Sequence, residues 1–315
     1  MWIFLHGQLE PELNHRLIYR PQTRQDDAHI ILAFFVMKLT VLILVLLTVI
    51  PIFGQTDLEK VVAAERAFAK TALEKGTRTA FLEFMSNDAV VFNPERTLAK
   101  PFWTARQPTA AALFWAPNFA DVSSNGILGY TTGNWEWRAK GRDDSPSAFG
   151  NFNTVWVRQP SGEYRWVVDI GISHDKPPKY SEDFTPPKPG GGNPNNISAA
   201  DSANRFYEVT AKQGLLKAYS TFADSDVRFF RENEFPAQGK SALLDRVKKY
   251  KGTFTFPKRS TFFETADLAY ANDSYTFTPE SGPVETGNFL QVWKLIDGKW
   301  KIVLDVFKPI PPKTS

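Results

Sequence analysis

Gly76-Thr-Arg-Thr-Ala-Phe-Leu-Glu-Phe84 returns 138 positions later as Gly214-Leu-Leu-Lys-Ala-Tyr-Ser-Thr-Phe222. The match continues downstream. Asp88 aligns with Asp226, Phe92 with Phe230, and Leu128-Gly-Tyr130 with Leu268-Ala-Tyr270. Gly150-Asn-Phe152 aligns with Gly287-Asn-Phe289, Val155-Trp156 with Val292-Trp293, and Asp169 with Asp305. The offset opens at 138 (76 to 214) and ends at 136 (169 to 305), with compensating insertions between. A self-match of this length means one structural unit written twice.

Each copy has the same order of elements. Thr56-x-x-Glu59 and Ser198-x-x-Asp201 predict helix N-caps with an acidic residue at the third helical position. In the first helix Leu58, Val61, Val62, Phe68, Ala69 and Ala72 form an apolar stripe that only Glu65 interrupts. Gly76 and Gly214 stand where a helix C-cap glycine belongs. Short second helices follow, and further short helices are expected at Thr109–Trp115 and Ser241–Tyr250. Asn134-Trp-Glu-Trp-Arg138 and Ser274-Tyr-Thr-Phe-Thr278 alternate polar with aromatic residues, the period of a half-buried strand. Pro160-Ser-Gly162 and Asp297-Gly298 mark the turn between two long strands. Helices first and an antiparallel sheet after them give an α+β order.

Between the copies, Pro177-Pro178, Pro186-Pro187, Pro189 and Gly190-Gly-Gly192 compose an extended linker. The domain boundaries follow as 55–175, a linker at 176–197, and 198–312. Ahead of them, Met37 opens a secretory pattern, with Lys38 as the charged region and Leu39–Ile50 as the apolar one. Pro51 then breaks the helix, and cleavage after Gly54 leaves Gln55 as the mature N-terminus. On this reading the protein is exported, to the periplasm or beyond, and residues 1–36 reflect a translation start placed too far upstream. The competing reading keeps residues 30–53 as an uncleaved membrane anchor.

The motifs Leu128-Gly-Tyr-Thr-Thr-Gly133-Asn-Trp, Gly150-x-Phe-x-Thr-Val-Trp156 and Gly162-x-Tyr-Arg-Trp-Val-Val-Asp169 resemble the nuclear transport factor 2-like superfamily, in its SnoaL-like branch of uncharacterised bacterial secreted domains. Copy two carries a weaker form: Gly287-x-Phe-x-x-Val-Trp293, then Asp297-Gly298-x-Trp300-Lys-Ile-Val-x-Asp305. The resemblance covers Asp57 to Lys308. It implies two cones, each a strongly curved antiparallel sheet wrapped around helices, often with an apolar pocket inside. It implies no single activity, because isomerases, cyclases, dehydratases and binding modules share the fold. It also implies sheet-to-sheet pairing, within the chain or as a homodimer.

Composition narrows the chemistry. The chain has no Cys, which excludes disulfides, thiol nucleophiles and thiolate metal sites. Beyond Ile30 the only His is His174, so a mature chain holds no multi-histidine metal site, and no cofactor is expected. A net charge of +3 without Lys/Arg clusters points away from nucleic acid. Carboxylates remain for acid–base work. Asp88 and Asp226 read as turn or cap residues. Asp169 and Asp305 sit inside strands rich in Val, Ile and Trp, where a raised pKa would suit a general base. By strict alternation Tyr164, Trp166, Val168 and Ile170 share one face, which leaves Asp169 with Arg165 and Val167 on a more polar one. That second face reads as an ion-paired outer surface or an interface between sheets.

The first copy is the better candidate for binding. Its stretch from Phe92 to Pro108 is longer than the equivalent from Phe230 to Gly239, and it carries Pro101-Phe-Trp103 and Arg106, which could cover a cone mouth. The expected ligand residues are Trp103, Arg106, Tyr130, Trp135, Trp137 and Asp169. The first functional reading is an exported module that binds a small apolar ligand or a partner without catalysis. The second is an isomerase, cyclase or dehydratase using Asp169 as general base. The third is a structural pseudo-dimer with no pocket.

Overall fold

Both helix caps form. Thr56 Oγ1 accepts from Glu59 N at 3.2 Å, and the Glu59 carboxylate accepts from Thr56 N at 2.7 Å. Ser198 and Asp201 repeat the arrangement. The computed structural model describes residues 55–179, 183–194, 196–257 and 261–312. The signal-peptide, upstream-start and membrane-anchor readings fall on residues 1–54, outside the described residues. No helix among the described residues is long and apolar enough to cross a membrane.

The first half runs α1 (Asp57–Lys75), α2 (Thr77–Phe84), β1 (Met85–Phe92), β2 (Arg96–Leu98), α3 (Ala99–Ala105), β3 (Ala112–Val122), β4 (Leu128–Arg138), β5 (Ala148–Arg158) and β6 (Tyr164–His174). The second runs α4 (Ala199–Gln213), α5 (Leu215–Phe222), β7 (Ala223–Arg231), β8 (Ala237–Gln238) and α6 (Lys240–Val247). It continues with β9 (Gly252–Thr255), β10 (Thr261–Glu264), β11 (Leu268–Pro279), β12 (Glu285–Ile296) and β13 (Lys299–Pro309). Gly76 and Gly214 join the two leading helices of each half at φ of +89° and +85°, a conformation L side chains resist. The helix expected at Thr109–Trp115 is absent. Ala112–Val122 is an edge strand paired with β4, and the helix lies earlier, at Ala99–Ala105.

The sheet orders are β2-β1-β6-β5-β4-β3 and β10-β11-β12-β13-β7-β8, with β9 beside β11. All pairs are antiparallel except β1/β6 and β7/β13, which are parallel. The architecture is α+β: two curved sheets, each with its own leading helices.

One irregularity decides which residues face which way. Val155 pairs with Val168, but Trp156 pairs with Trp166, so Val167 is an extra residue in β6. Val292 pairs with Leu304 and Trp293 with Ile302, which makes Val303 its counterpart in β13. A bulge reverses the side-chain alternation beyond it. Tyr164 and Trp166 therefore pack with Phe68 and Phe81 inside the first half, while Val168, Ile170 and Ile172 turn outward. There they meet Leu290, Val292, Leu304 and Val306 of the second sheet in one apolar cluster. Asp169 and Gly171 now face the inside of their own half. The continuous alternation expected from the sequence fails at Val167.

Polar contacts frame this sheet-to-sheet layer. Lys294 Nζ lies 2.5 Å from Asp121 Oδ2, with both side chains buried. Arg96 Nε donates to Asn272 Oδ1 at 2.9 Å, and Asn288 Nδ2 donates to the Pro94 carbonyl at 2.7 Å. The Pro/Gly-rich linker is pinned across the two halves. Thr185 N donates to the Asn118 carbonyl and Gly191 N to that of Leu295, while Lys294 Nζ donates to the Lys188 carbonyl at 2.6 Å.

Candidate functional site

The inside of the first half is hollow. A cavity of about 270 Å³ is walled by Phe68, Phe81, Leu113, Trp115, Trp135, Trp137 and Phe152, with Asp169, Gly171, Ser173 and Lys308 on one side. Gly171 keeps the space open. A Cβ built there meets no atom closer than 3.6 Å. Its counterpart in the second half, 136 positions on, is Phe307, a fully buried ring. Phe307 packs edge-on to Tyr275 at 4.8 Å and against Phe254 at 5.5 Å. The same fold is thus filled in one copy and vacant in the other. Small-to-large exchange at one strand position accounts for much of that difference.

One carboxyl group lines the cavity, and a second lies buried beneath its wall. Thr154 Oγ1 donates to Asp169 Oδ2 at 2.8 Å, which fixes the group. Asp169 is mostly buried, with part of its surface open to the cavity. Burial raises its pKa to about 6, with the Thr154 hydrogen bond and the Lys308 charge opposing the rise. Glu65, on α1, is fully buried beneath the aromatic wall. It accepts from Trp115 Nε1 at 2.6 Å, Thr131 Oγ1 at 2.5 Å and Trp156 Nε1 at 3.1 Å. Burial lifts it to about 7 against those hydrogen bonds, and the charge of Asp169 adds to the rise. Glu65 therefore holds Trp115 in the wall and couples to the titration of Asp169. It was visible as the one interruption in an apolar stripe; its partners were not.

The second half repeats the carboxyl in an interior packed with Tyr219, Phe254, Tyr275 and Phe307. Asp305 is fully buried, and its Oδ2 accepts from Tyr219 Oη and Gln291 Nε2, both at 2.7 Å. Its Oδ1 has no partner. Burial raises Asp305 to about 8, opposed by those hydrogen bonds.

Of the six residues expected at a ligand site, Trp135, Trp137 and Asp169 line the cavity together. The other three do not. Trp103 stacks on Phe81 at 4.2 Å, since the stretch expected as a lid coils into α3 and packs on α2 instead. Arg106 follows that helix and lies exposed over the Phe102 ring at 4.1 Å. Tyr130 points to the other face of β4, into the layer between the sheets. The residues missed were Gly171, Lys308 and Glu65. His174 lies at the end of β6, its Nε2 3.0 Å from Asn151 Oδ1, outside the cavity lining. Among the described residues no cluster of three His, Cys, Asp or Glu could hold a metal ion.

No family model matches this sequence, and neither does any curated protein sequence. Solved structures do match. A conserved protein from Planctomyces limnophilus is 22% identical and aligns over 37% of this chain and 98% of its own, with a TM-score of 0.30. The likeness lies in the fold. An NTF2-like protein of unknown function from Pseudomonas putida is 15% identical over 36% of this chain and 84% of its own, with a TM-score of 0.31. A nuclear transport factor 2-like superfamily protein from Salmonella enterica is 15% identical over 36% of this chain and 90% of its own, also at 0.31.

Proposed function

We propose that the first half is the receptor of this protein and takes a small, mostly apolar molecule into the cavity above Asp169. The observation that carries this reading is the exchange at Gly171 and Phe307, which leaves one copy open and closes the other. Aromatic walls with a few convergent polar groups are what small-molecule sites use. In this reading the two copies are tandem domains of one exported chain, and the mature protein starts at Gln55. N-terminal sequencing of the exported product checks the last point, and a product that retains residues 1–36 contradicts it.

Gly171→Phe tests the receptor reading. The first side-chain atom finds ordinary contact distances, so the ring enters the cavity much as Phe307 enters its own half. The expected result is at least a tenfold loss of affinity for an apolar probe such as naphthalene, followed by calorimetry or by the fluorescence of Trp115, Trp135 and Trp137. Unchanged affinity would place binding elsewhere.

A second reading is favoured by one further observation. Asp169 faces the cavity with a pKa of about 6, so at neutral pH it is mainly ionised and still basic enough to accept a proton from a bound molecule. Asp169→Asn keeps the shape and removes the base. Solvent deuterium entering a bound carbonyl compound with wild-type protein and not with this variant would establish proton transfer. No entry with either protein leaves the receptor reading alone.

A further inference from the structure

β1 stops too early to cover β6. In the second half the parallel pairing of β7 with β13 reaches Phe307, and Glu232 N donates to the Phe307 carbonyl at 3.3 Å. In the first half Phe92 stands for Phe230 and Gly171 for Phe307, so Pro94 stands for Glu232. Proline has no N–H. The Gly171 carbonyl cannot be served by the residue that serves its counterpart. Lys308 of the second half serves it instead, with Nζ at 2.5 Å. The strand continues in the same way. Ser173 N donates to Glu232 Oε2 at 3.2 Å, and Asn233 N donates to the Ser173 carbonyl at 2.8 Å. Beyond the end of β1, residues of the second half take over the edge of β6, and Lys308 among them lines the first half's cavity.

Lys308 is the one basic side chain among the residues lining that cavity. An ammonium carries three donors, and Gly171 takes one. We propose that Lys308 anchors the cavity's ligand by donating a hydrogen bond to an uncharged acceptor oxygen, a carbonyl, on an otherwise apolar molecule. The proposal rests on the cavity's being a ligand site. An uncharged oxygen fits because Asp169 already lines the space and Glu65 lies beneath it. A carboxylate ligand would bring a third acidic group into one poorly solvated volume, whereas a carbonyl satisfies the donor and adds no charge. A purely apolar ligand would cover the ammonium and leave its donors unmatched. Desolvation lowers the basicity of Lys308, while the nearby charges of Glu232 and Asp169 support its protonated form.

The test uses the full chain at neutral pH and three probes of one shape: naphthalene, 2-acetylnaphthalene and 2-naphthoate. The ketone should bind about tenfold or more tighter than naphthalene, the scale of one hydrogen bond to a charged donor. In Lys308→Met the ratio of the two affinities should fall to near one; in Lys308→Arg, which keeps a donor, a preference for the ketone should return. A ratio near one in the wild type sinks the proposal even if the Met variant does not fold, and so does a ratio that survives Lys308→Met. Tighter binding of 2-naphthoate than of the ketone overturns the choice of an uncharged oxygen. If naphthalene binds in a manner sensitive to Gly171→Phe while the ketone has no advantage, the cavity reading stands and Lys308 alone loses its role. If none of the three binds, both fall.

Discussion

Asp305→Asn is expected to make the protein more stable than wild type near pH 8 and to leave it nearly unchanged near pH 4. Desolvation holds the folded-state pKa of Asp305 at about 8, against 3.8 for an unperturbed aspartate. Between these values the unfolded chain has released its proton while the folded one keeps it. Stability is therefore fully present below the unfolded pKa and is lost as pH rises, by about 1.4 kcal/mol per pH unit for one such group, until the folded pKa is passed. Asparagine removes that slope. Its amide oxygen can still accept from Tyr219 and Gln291, the two donors now on Oδ2. Denaturant unfolding across pH 4 to 8 should show a gain upwards of about 3 kcal/mol at the alkaline end. Glu65 and Asp169, with raised pKa values of about 7 and 6, impose shorter slopes of the same sign, so the variant flattens the profile without abolishing it. Parallel profiles for variant and wild type would mean that Asp305 is ionised in the folded protein at neutral pH.

Leu304→Ala should cost about 2–5 kcal/mol, the range for deleting a fully buried leucine side chain. Leu304 is 0% exposed and sits in the apolar layer where β13 meets the sheet of the first half. Leu98→Ala is the control. That side chain is 54% exposed, and its loss should stay within about 0.5 kcal/mol. Equal costs in urea titrations would show that the layer between the sheets does not hold the halves together.

The element order was legible because caps, glycines and turns act locally. Thr56-x-x-Glu59, Gly76 and Asp297-Gly298 each state their structure within a few residues. The facing of β6 was not legible, because a bulge at Val167 leaves no composition signal: Tyr164 to Ile172 alternates as cleanly as a regular strand. Asp169 was singled out for its place among Val, Ile and Trp, and the face assigned to it was wrong for that reason. Trp135 and Trp137 were readable from their bulk and alternation. Trp103 and Arg106 were placed at the mouth on the length and the aromatic and basic content of their stretch, but Trp103 lies within α3 and Arg106 directly after it. Lys308 was beyond reach, since its role depends on a missing N–H at Pro94, more than two hundred residues earlier.

The linker that Lys294 clamps has a consequence for symmetry. Two identical chains paired through one patch must place the same residue on both sides, so every change appears twice. A covalent tether lifts that constraint. It also keeps the partners at a high effective concentration, so their contact surface need not survive dilution. One copy was then free to take Phe307 and Lys308 where the other has Gly171 and Ile172, giving a filled member and a hollow one. The tether allows a single asymmetric site where a homodimer of either half would present two alike.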